Sequence, residues 1–155
     1  MKEFCGVVIN GRRLVVNKNG DVYGLKADGQ MKIIDNVANN KTGYNRIGCG
    51  NKMILRHRII AYTYLGLDLE NQKQQIDHQD GNKLNNSLDN LRVVTHQQNQ
   101  WNQTKAKGYY FNKASQKWKA QINLNNKNIY LGLFNTESEA RVSYLTAKLI
   151  YHKII

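Results

Sequence analysis

The segment richest in side chains that could do chemistry is IDHQDGNKLNNSLDNL, residues 76–91. Asp77 and His78 are adjacent, Asn90 follows twelve residues after the histidine, and Asn99 lies nine residues further on. A carboxylate oxygen suits a hard divalent ion such as Mg²⁺, and a neutral imidazole suits a general base because its pKa lies near the working pH. If the pair ends a strand, the two side chains point to opposite sides. One can then bind a metal while the other faces a water beside a phosphate.

A second protein ligand for that ion has to come from another element. Asn99 falls in the first turns of a predicted helix, from which its side-chain carbonyl can reach back toward Asp77. A neutral amide is a poor zinc ligand, so Mg²⁺ or Mn²⁺ is favoured over zinc. His96, three residues earlier on the same helix, is a rival ligand.

Each of these residues also has a purely structural interpretation. An Asp-His pair beside a glycine loop is common in turns, Asn90 can end a turn, and Asn99 can be an exposed helix residue. A calcium loop is excluded, because Gln79, Gly81 and Leu88 occupy positions that an EF-hand fills with oxygen ligands or glutamate.

The elements before the motif are predicted as hairpins and one helix. Asn-Gly and Asp-Gly pairs at 19–20 and 28–29 separate apolar runs, and a further hairpin turns at Gly50-Asn51. In ILRHRIIAYTYLGL the period changes: Leu55, Ile59, Ile60 and Ala61 lie close to one helical stripe, and Gly66 can end the helix. The basic side chains of this helix, with His57 between Arg56 and Arg58, could contact phosphate or serve packing and solvation.

The motif itself is predicted as strand, long polar loop, strand and short helix over residues 75–104. LRVVT is the second strand, and Thr95 with Gln98 forms a capping-box pattern that opens the helix.

The tail is organised as a separate small unit. Three strand-like runs precede a helix opened by a second capping box, Thr136 with Glu139. The middle strand alternates with period two, so that Lys119, Gln121 and Asn123 share a polar face. The apolar face of this strand consists of Trp118, Ala120, Ile122 and Leu124. The apolar stripe of the helix consists of Ala140, Tyr144, Ala147 and Tyr151. The boundary is predicted in the polar segment 102–107.

Charge indicates a polyanionic partner. The chain has 23 Lys and Arg against 11 Asp and Glu, a net charge of +12, which favours nucleic acid and could also serve an acidic membrane surface. Residues 1–50 carry eight basic and four acidic groups, residues 51–100 six and five, and residues 101–155 nine and two. The basic flanking parts can therefore bind phosphates, while the carboxylates of the central part, residues 51–100, are available for another role.

The two cysteines, Cys5 and Cys49, exclude a zinc site built from cysteine pairs. The N-terminus is a poor secretory signal and no apolar run is long enough to cross a membrane. A soluble, intracellular protein is expected.

Taken together, Asp77-His78, Asn90 and Asn99 resemble the motif of HNH nucleases, in the asparagine-ended variant of phage and intron-encoded homing endonucleases. RHRIIAYTYLG, VNKNGDVYGLK and KTGYNRI resemble the segments that precede the motif in such enzymes. The tail resembles the DNA-binding domain of plant ethylene-response factors at KGYYFN, WKAQI, YLGLF and TESEARVSYLTAKLIYH.

The resemblance implies a role for each motif residue. His78 would be the general base that deprotonates the attacking water, and Asn90 would brace the loop that aims it. Asp77 and Asn99 would bind one divalent ion, Mg²⁺ or Mn²⁺, in contact with the scissile phosphate and the departing 3′ oxygen. Many relatives end the motif in histidine, and Asn99 departs from that pattern.

In the tail, the polar face of the sheet would enter the major groove of double-stranded DNA, which is wide enough for strands. Candidate DNA-binding residues are Lys107, Tyr110, Lys119, Gln121, Asn123 and Tyr130. The plant domains carry arginines at several of these positions, so their target sequence cannot be transferred. A solvated sheet face is the structural alternative.

The predicted fold is α+β, with N-terminal β-hairpins (1–52), a central ββα-metal nuclease (53–104) and a C-terminal three-stranded sheet packed on one helix (105–155). The predicted function is a metal-dependent endonuclease acting on double-stranded DNA as a monomer or a homodimer, encoded by a phage and acting in the cytoplasm of a bacterial host. The alternatives are a DNA-binding protein without cleavage activity and an RNA-binding protein that uses the aromatic tail.

Overall fold

A computed structural model describes residues 3–101 and 107–153. The chain divides into two compact units, Met1–Asn99 and Gln100–Ile155. No helix of the described residues is long and apolar enough to cross a membrane. Of the predicted boundary segment, 102–106 lies outside the described residues.

The first unit begins with two groups of antiparallel strands. Four strands pair in chain order, β1 (Phe4–Ile9), β2 (Arg12–Asn17), β3 (Val22–Leu25) and β4 (Met31–Ile34), and a separate hairpin is formed by β5 (Arg46–Cys49) and β6 (Lys52–Leu55). The hairpin turns predicted from the sequence are confirmed. Gly20, Gly29 and Gly50 have φ of 89°, 85° and 59°, the left-handed region that these turns require.

Helix α1 (Arg56–Tyr64) follows β6 without a loop. Ile59, Ile60 and Ala61 are fully buried, while Leu55 stands just before the helix and is half-buried. The helix ends as predicted at Gly66, whose φ is 67°, and the backbone amides at 65 and 67 both donate to the carbonyl of Ala61.

The motif region folds as two strands and a helix. β7 (Gln75–His78) pairs antiparallel with β8 (Leu91–Val94), and α2 (His96–Trp101) follows directly. The capping box that opens α2 is formed: the Gln98 amide donates to Thr95 Oγ1 at 3.2 Å, and the Thr95 amide donates to Gln98 Oε1 at 2.9 Å. A short 3₁₀ helix, Leu88–Asn90, ends the loop before β8.

One hydrophobic core serves the whole first unit. Its buried members come from the hairpins (Ile9, Leu14, Val16, Val22, Ile47, Cys49), from α1 and the segment after it (Ile59, Ile60, Ala61, Leu67) and from the motif strands (Ile76, Leu91). The hairpins and the motif region therefore share their packing, which fixes the motif strands against the N-terminal sheet.

The second unit is a three-stranded antiparallel sheet and a helix, as predicted. β9 (Tyr109–Asn112), β10 (Lys117–Leu124) and β11 (Lys127–Phe134) pair with β10 in the centre, and α3 (Glu137–Tyr151) packs on the sheet. Both hydrogen bonds of the Thr136–Glu139 capping box are present.

The buried stripe of α3 is shorter than the sequence predicts. Ala140, Tyr144 and Ala147 are buried, but Tyr151 is 38% exposed. The prediction that Tyr151 belongs to the buried stripe was wrong. Tyr151 is the last residue of the helix, where the helical period continues but the side chain is no longer covered by the sheet. The middle of α3 packs closely on the chain at Gly108, because a Cβ there would lie 2.1 Å from the Tyr144 ring.

Candidate functional site

Strand β7 separates the two central motif side chains, Asp77 and His78. Adjacent residues of a strand face opposite sides, and here both residues are buried. Asp77 is paired across the ladder with Arg92, and His78 with Leu91. The carboxylate and the imidazole therefore work in two different environments on the two sides of one strand.

The Asp77 carboxylate forms an ion pair with Arg92. Nε and one terminal nitrogen of the guanidinium lie 2.8 and 2.7 Å from the same oxygen, Oδ2. The Asp77 side chain is 5% exposed and that of Arg92 is 29% exposed, so the pair lies at the edge of the core rather than in open solvent. The guanidinium compensates a carboxylate that would otherwise be costly to bury.

Asn99 of α2 is hydrogen-bonded to Gln75 of β7. Its Nδ2 donates to Gln75 Oε1 at 2.8 Å, and Gln75 Nε2 lies 3.0 Å from Nδ1 of His96. Gln75 stands two residues before Asp77 and so lies on the same side of the strand. The first turns of α2 are thereby tied to the side of β7 that carries the carboxylate.

On the other side of β7, His78 lies in a cluster of rings and amides. Its Nε2 is 3.4 Å from Oδ1 of Asn86. The His57 ring stands edge to face with it at a centroid distance of 5.0 Å, and the Tyr44 ring lies 5.9 Å away. Packing on several sides restricts the imidazole to few orientations.

Burial also determines the charge state of the two histidines. Burial, helped by the proximity of His78 and Arg58, lowers the pKa of His57 to about 3. Burial lowers the pKa of His78 as well, against the opposing effects of the Asn86 hydrogen bond and of Asp80 and Asp77. Both imidazoles are therefore neutral at neutral pH, which is the form in which a histidine can accept a proton.

Asn90 ties the polar loop between β7 and β8 together. Its Nδ2 donates to Asp80 Oδ1 at 2.9 Å and to the carbonyl of Asn85 at 2.8 Å, and its Oδ1 accepts from the Asp80 amide at 3.0 Å. Its backbone carbonyl accepts from the amide of Gln79, the residue that follows His78. Three hydrogen bonds of one buried asparagine side chain therefore hold the loop that follows His78.

The N-terminal hairpins support the same loop from outside. The Leu88 amide donates to the carbonyl of Lys18 at 2.8 Å, and Asn36 Nδ2 donates to the carbonyl of Leu84 at 2.7 Å. Gly20 touches the loop so closely that a Cβ there would lie 2.5 Å from the backbone of Asn86. The residues before the motif thus fix the path of the loop.

The basic residues of α1 are engaged in structural contacts. Arg56 is 1% exposed and its guanidinium donates to Asn45 Oδ1 and to the carbonyls of Gly20, Ile34 and Asp35. Arg58 donates to three further carbonyls, those of Gln74, Asp68 and Leu69. Of the two interpretations of these arginines, phosphate contact or packing, the contacts favour packing.

The two residues predicted to bind a metal, Asp77 and Asn99, stand on β7 and on α2. Among residues 3–101 and 107–153, no group of three or more His, Cys, Asp or Glu could hold a metal. Asp77 and Asn99 offer a carboxylate and an amide oxygen, and Mg²⁺ commonly binds through one or two carboxylates together with waters and substrate phosphates. Oxygen donors of this kind suit Mg²⁺ or Mn²⁺ better than zinc.

In the second unit, most predicted DNA-binding residues share one face of the sheet. Lys119 of β10 pairs with Tyr110 of β9, and Gln121 of β10 pairs with Tyr130 of β11. Asn123 lies two residues beyond Gln121 on the same face. The Lys119 ammonium stands 5.8 Å from the centre of the Tyr130 ring. Helix α3 packs against residues of the opposite face, so this polar face is left to solvent.

Lys107 lies elsewhere. Its ammonium is 5.9 Å from the centre of the Tyr109 ring, and Tyr109 packs on the helix side of the sheet. Lys107 also lines a cavity of about 550 Å³, together with residues of α3 such as Glu137 and Arg141. The structure thus separates Lys107 from the other five candidates.

Four residues around the motif were missed in the sequence, among them Arg92, whose place opposite Asp77 depends on the register of β7 with β8. Gln75 has a weak signal, because it stands two residues before Asp77 and so shares its face. Asn86 and Tyr44 have none: one is an asparagine among many, and the other lies 34 residues before His78 and reaches it only through the fold.

One family model, two curated proteins and a solved structure match parts of this chain. Residues 55–101 match the model of an HNH endonuclease family. The chain is 39% identical over 59 residues to the H-N-H endonuclease F-TflII of Escherichia phage T5, an alignment that covers 38% of this chain and 31% of that protein. It is 28% identical over 98 residues to an uncharacterised HNH endonuclease of Acanthamoeba polyphaga mimivirus, covering 58% and 27%.

A solved structure, described as DNA binding and cleavage by the HNH homing endonuclease I-HmuI, aligns with a TM-score of 0.51 and 33% identity over 66% of this chain and 57% of the other. The chain thus spans less than a third of the two curated relatives and just over half of the solved one. The segment from residue 55 to residue 101 thus matches an HNH endonuclease family, and the chain is similar to an H-N-H endonuclease of a phage and to the homing endonuclease I-HmuI.

Proposed function

We propose that this chain is a metal-dependent HNH endonuclease that hydrolyses phosphodiester bonds of double-stranded DNA. One observation carries the proposal: β7 holds Asp77 and His78 on opposite sides, with the Asn99 helix tied to the Asp77 side and the Asn90 loop bonded beyond His78. The family match of the same segment supports it.

In the proposed reaction, the neutral imidazole of His78 takes a proton from the water that attacks phosphorus. His57, Tyr44 and Asn86 hold the ring in place, and Asn90 braces the loop. Asp77 and Asn99 would hold a divalent ion, Mg²⁺ or Mn²⁺, which would supply positive charge to stabilise the negative charge that develops during cleavage. As water bonds to phosphorus, the bond from phosphorus to the 3′ oxygen breaks and the 3′ oxygen takes a proton from solvent, so the products are 5′-phosphate and 3′-hydroxyl ends.

The test is cleavage of supercoiled plasmid and of a library of phage DNA fragments with Mg²⁺ or Mn²⁺. We expect nicking that EDTA stops, and a loss of about 10²- to 10⁴-fold in rate for His78→Ala, the usual contribution of a general base. Asp77→Asn should be inactive, whereas Asp89→Asn, which removes an exposed carboxylate of the same loop, should cleave normally.

A second candidate is a DNA-binding protein without cleavage activity. The ion pair of Asp77 with Arg92 favours it, because the guanidinium already holds one oxygen of the carboxylate that the cation needs. Tight DNA binding without metal-dependent cleavage of any target in the library would establish this candidate and reject the endonuclease.

The second unit is the proposed DNA reader, similar to the ethylene-response-factor domain. Its exposed face would place Tyr110, Lys119, Gln121, Asn123 and Tyr130 in the major groove, while Lys107 would contact phosphate from a different side. Competition between duplex DNA and single-stranded RNA tests this assignment. Preference for the RNA would contradict it and favour an RNA-binding protein.

The single metal site fits a monomer that nicks one strand, and a homodimer could cut both. Sedimentation of the protein on duplex DNA, together with the ratio of nicked to linear plasmid, distinguishes the two. As a phage-encoded homing enzyme it would act in the cytoplasm of the bacterial host.

A further inference from the structure

The contact that ties α2 to β7 is made by a residue without an assigned role, Gln75. Its Oε1 accepts a hydrogen bond from Asn99 Nδ2 at 2.8 Å, and its Nε2 lies 3.0 Å from Nδ1 of His96. One side-chain amide therefore contacts two residues of the helix, three positions apart, through its two ends.

In the structure Nδ2 of Asn99 donates to Oε1 of Gln75, and Nε2 of Gln75 faces Nδ1 of His96, which accepts in the tautomer that leaves this nitrogen without a proton. An amide nitrogen only donates and an amide oxygen only accepts. Exchanging the ends of Gln75 alone would leave Nε2 facing the Nδ2 donor of Asn99, so the orientations of the two amides are coupled. With Nδ2 of Asn99 held by Gln75, its Oδ1 is the end directed away from that contact.

The choice of end matters for the cation. A divalent ion binds the carbonyl oxygen of an amide and not its nitrogen. Gln75 lies on the same side of β7 as Asp77, so it anchors Asn99 on the side of the strand that carries the carboxylate. Groups that orient metal ligands typically change metal affinity by about 10- to 100-fold.

We propose that Gln75 is a positioning residue that turns the Asn99 amide so that its carbonyl oxygen is presented to the divalent ion held with Asp77. The inference rests on the proposed function, because it needs a cation at these two residues. It also assigns His96 to support of Gln75, rather than to metal binding through its Nδ1.

The test measures Mn²⁺ binding directly, by electron paramagnetic resonance of the free ion in the presence of the full chain and plasmid DNA. A His78→Ala background keeps the DNA intact during the titration. Gln75→Leu removes both hydrogen bonds, while Gln75→Glu keeps an acceptor for Asn99 Nδ2. We expect Mn²⁺ affinity about 10-fold weaker for Gln75→Leu and retained for Gln75→Glu, with unchanged DNA binding in EDTA.

A double-substitution cycle with Asn99→Ala separates positioning from a general structural effect. If Gln75 acts through Asn99, adding Gln75→Leu to Asn99→Ala weakens Mn²⁺ binding no further. With His78 restored, cleavage by Gln75→Leu should need about 10-fold more Mn²⁺ but reach a similar rate at saturation.

Two results would overturn the inference in different ways. Wild-type Mn²⁺ affinity in Gln75→Leu, or a full additive loss in the double variant, rejects the role of Gln75 alone. Unchanged Mn²⁺ affinity in Asn99→Ala and in Asp77→Ala rejects the metal site itself, and with it the proposed function.

Discussion

The imidazole rings of His57 and His78 stand edge to face, with centroids 5.0 Å apart and an interplanar angle of 87°. His57 comes from α1 and His78 from β7, so the contact joins two elements that meet only in the folded core. Tyr44 contacts both rings, at 5.1 and 5.9 Å. The proposed general base is thus held by a second histidine that is itself buried and neutral.

The buried His57 predicts a specific dependence of stability on pH. Its pKa is about 3 in the folded chain and about 6.5 when unfolded, so the unfolded state binds more protons between these values. Its contribution to stability is therefore fully present above pH 6.5 and is lost as the pH falls toward 3. Between pH 7 and pH 5 the free energy of unfolding should fall by about 2 kcal/mol from this residue alone.

Urea denaturation of the wild type and of His57→Phe at the two pH values checks this. Phenylalanine keeps a ring against Tyr44 and His78 but cannot take up a proton, so the fall in stability should be about 2 kcal/mol smaller in the variant. Equal falls in both proteins would show that His57 is not the residue that titrates.

Replacement of Asn90 is expected to lower both the free energy of unfolding and the cleavage rate. Asn90→Ala removes three hydrogen bonds from a side chain that is 8% exposed, and the free energy of unfolding should fall by about 2–3 kcal/mol. The cleavage rate should fall at a temperature where the variant is still folded, because the loop no longer positions His78. Asn82→Ala, which removes an exposed loop asparagine, is the control and should lose less than about 1 kcal/mol. A folded Asn90→Ala that cleaves at the wild-type rate would contradict the bracing role.

Two glycines offer a matched test of how the hairpins support the loop. Gly20 and Gly29 have similar φ, 89° and 85°, but a Cβ on Gly20 meets the Asn86 backbone at 2.5 Å while a Cβ on Gly29 meets nothing within 4 Å. Gly29→Ala should therefore cost about 1 kcal/mol for backbone strain alone. Gly20→Ala should cost more in urea denaturation and should also slow cleavage, since Asn86 contacts His78. Equal losses would mean that the close approach is without consequence.

The exposed sheet face predicts a change in the salt dependence of DNA binding. Lys119→Ala should weaken binding to all duplex sequences and reduce the slope of log K against log salt by about 1, as expected for the loss of one phosphate contact. Lys148→Ala, which removes a lysine from α3, is the control and should leave the slope unchanged. The reverse pattern in filter binding would place the DNA on the helix side.

The local signals in this sequence were sufficient for most elements. Asn19-Gly20 and Asp28-Gly29 marked turns, the Thr95–Gln98 and Thr136–Glu139 pairs opened helices, and Gly66 ended one, because each depends on contacts between residues close in the chain. The prediction that Tyr151 continues the buried stripe was wrong, because the helical period shows only which residues share a face. Whether they are buried depends on how far the opposing sheet extends.

The sequence by itself determined which functional groups the motif contains, through the types and spacing of Asp77, His78, Asn90 and Asn99. It predicted a carboxylate and an imidazole on opposite sides of one strand, with an amide supplied by a helix. Only the tertiary structure decided what surrounds them. The Arg92 ion pair follows from the register of β7 with β8, the Gln75 contact from the approach of α2, and the ring cluster from α1 and Tyr44 meeting in the core. These contacts join residues that are distant in the chain, and their geometry is fixed by packing rather than by any local preference.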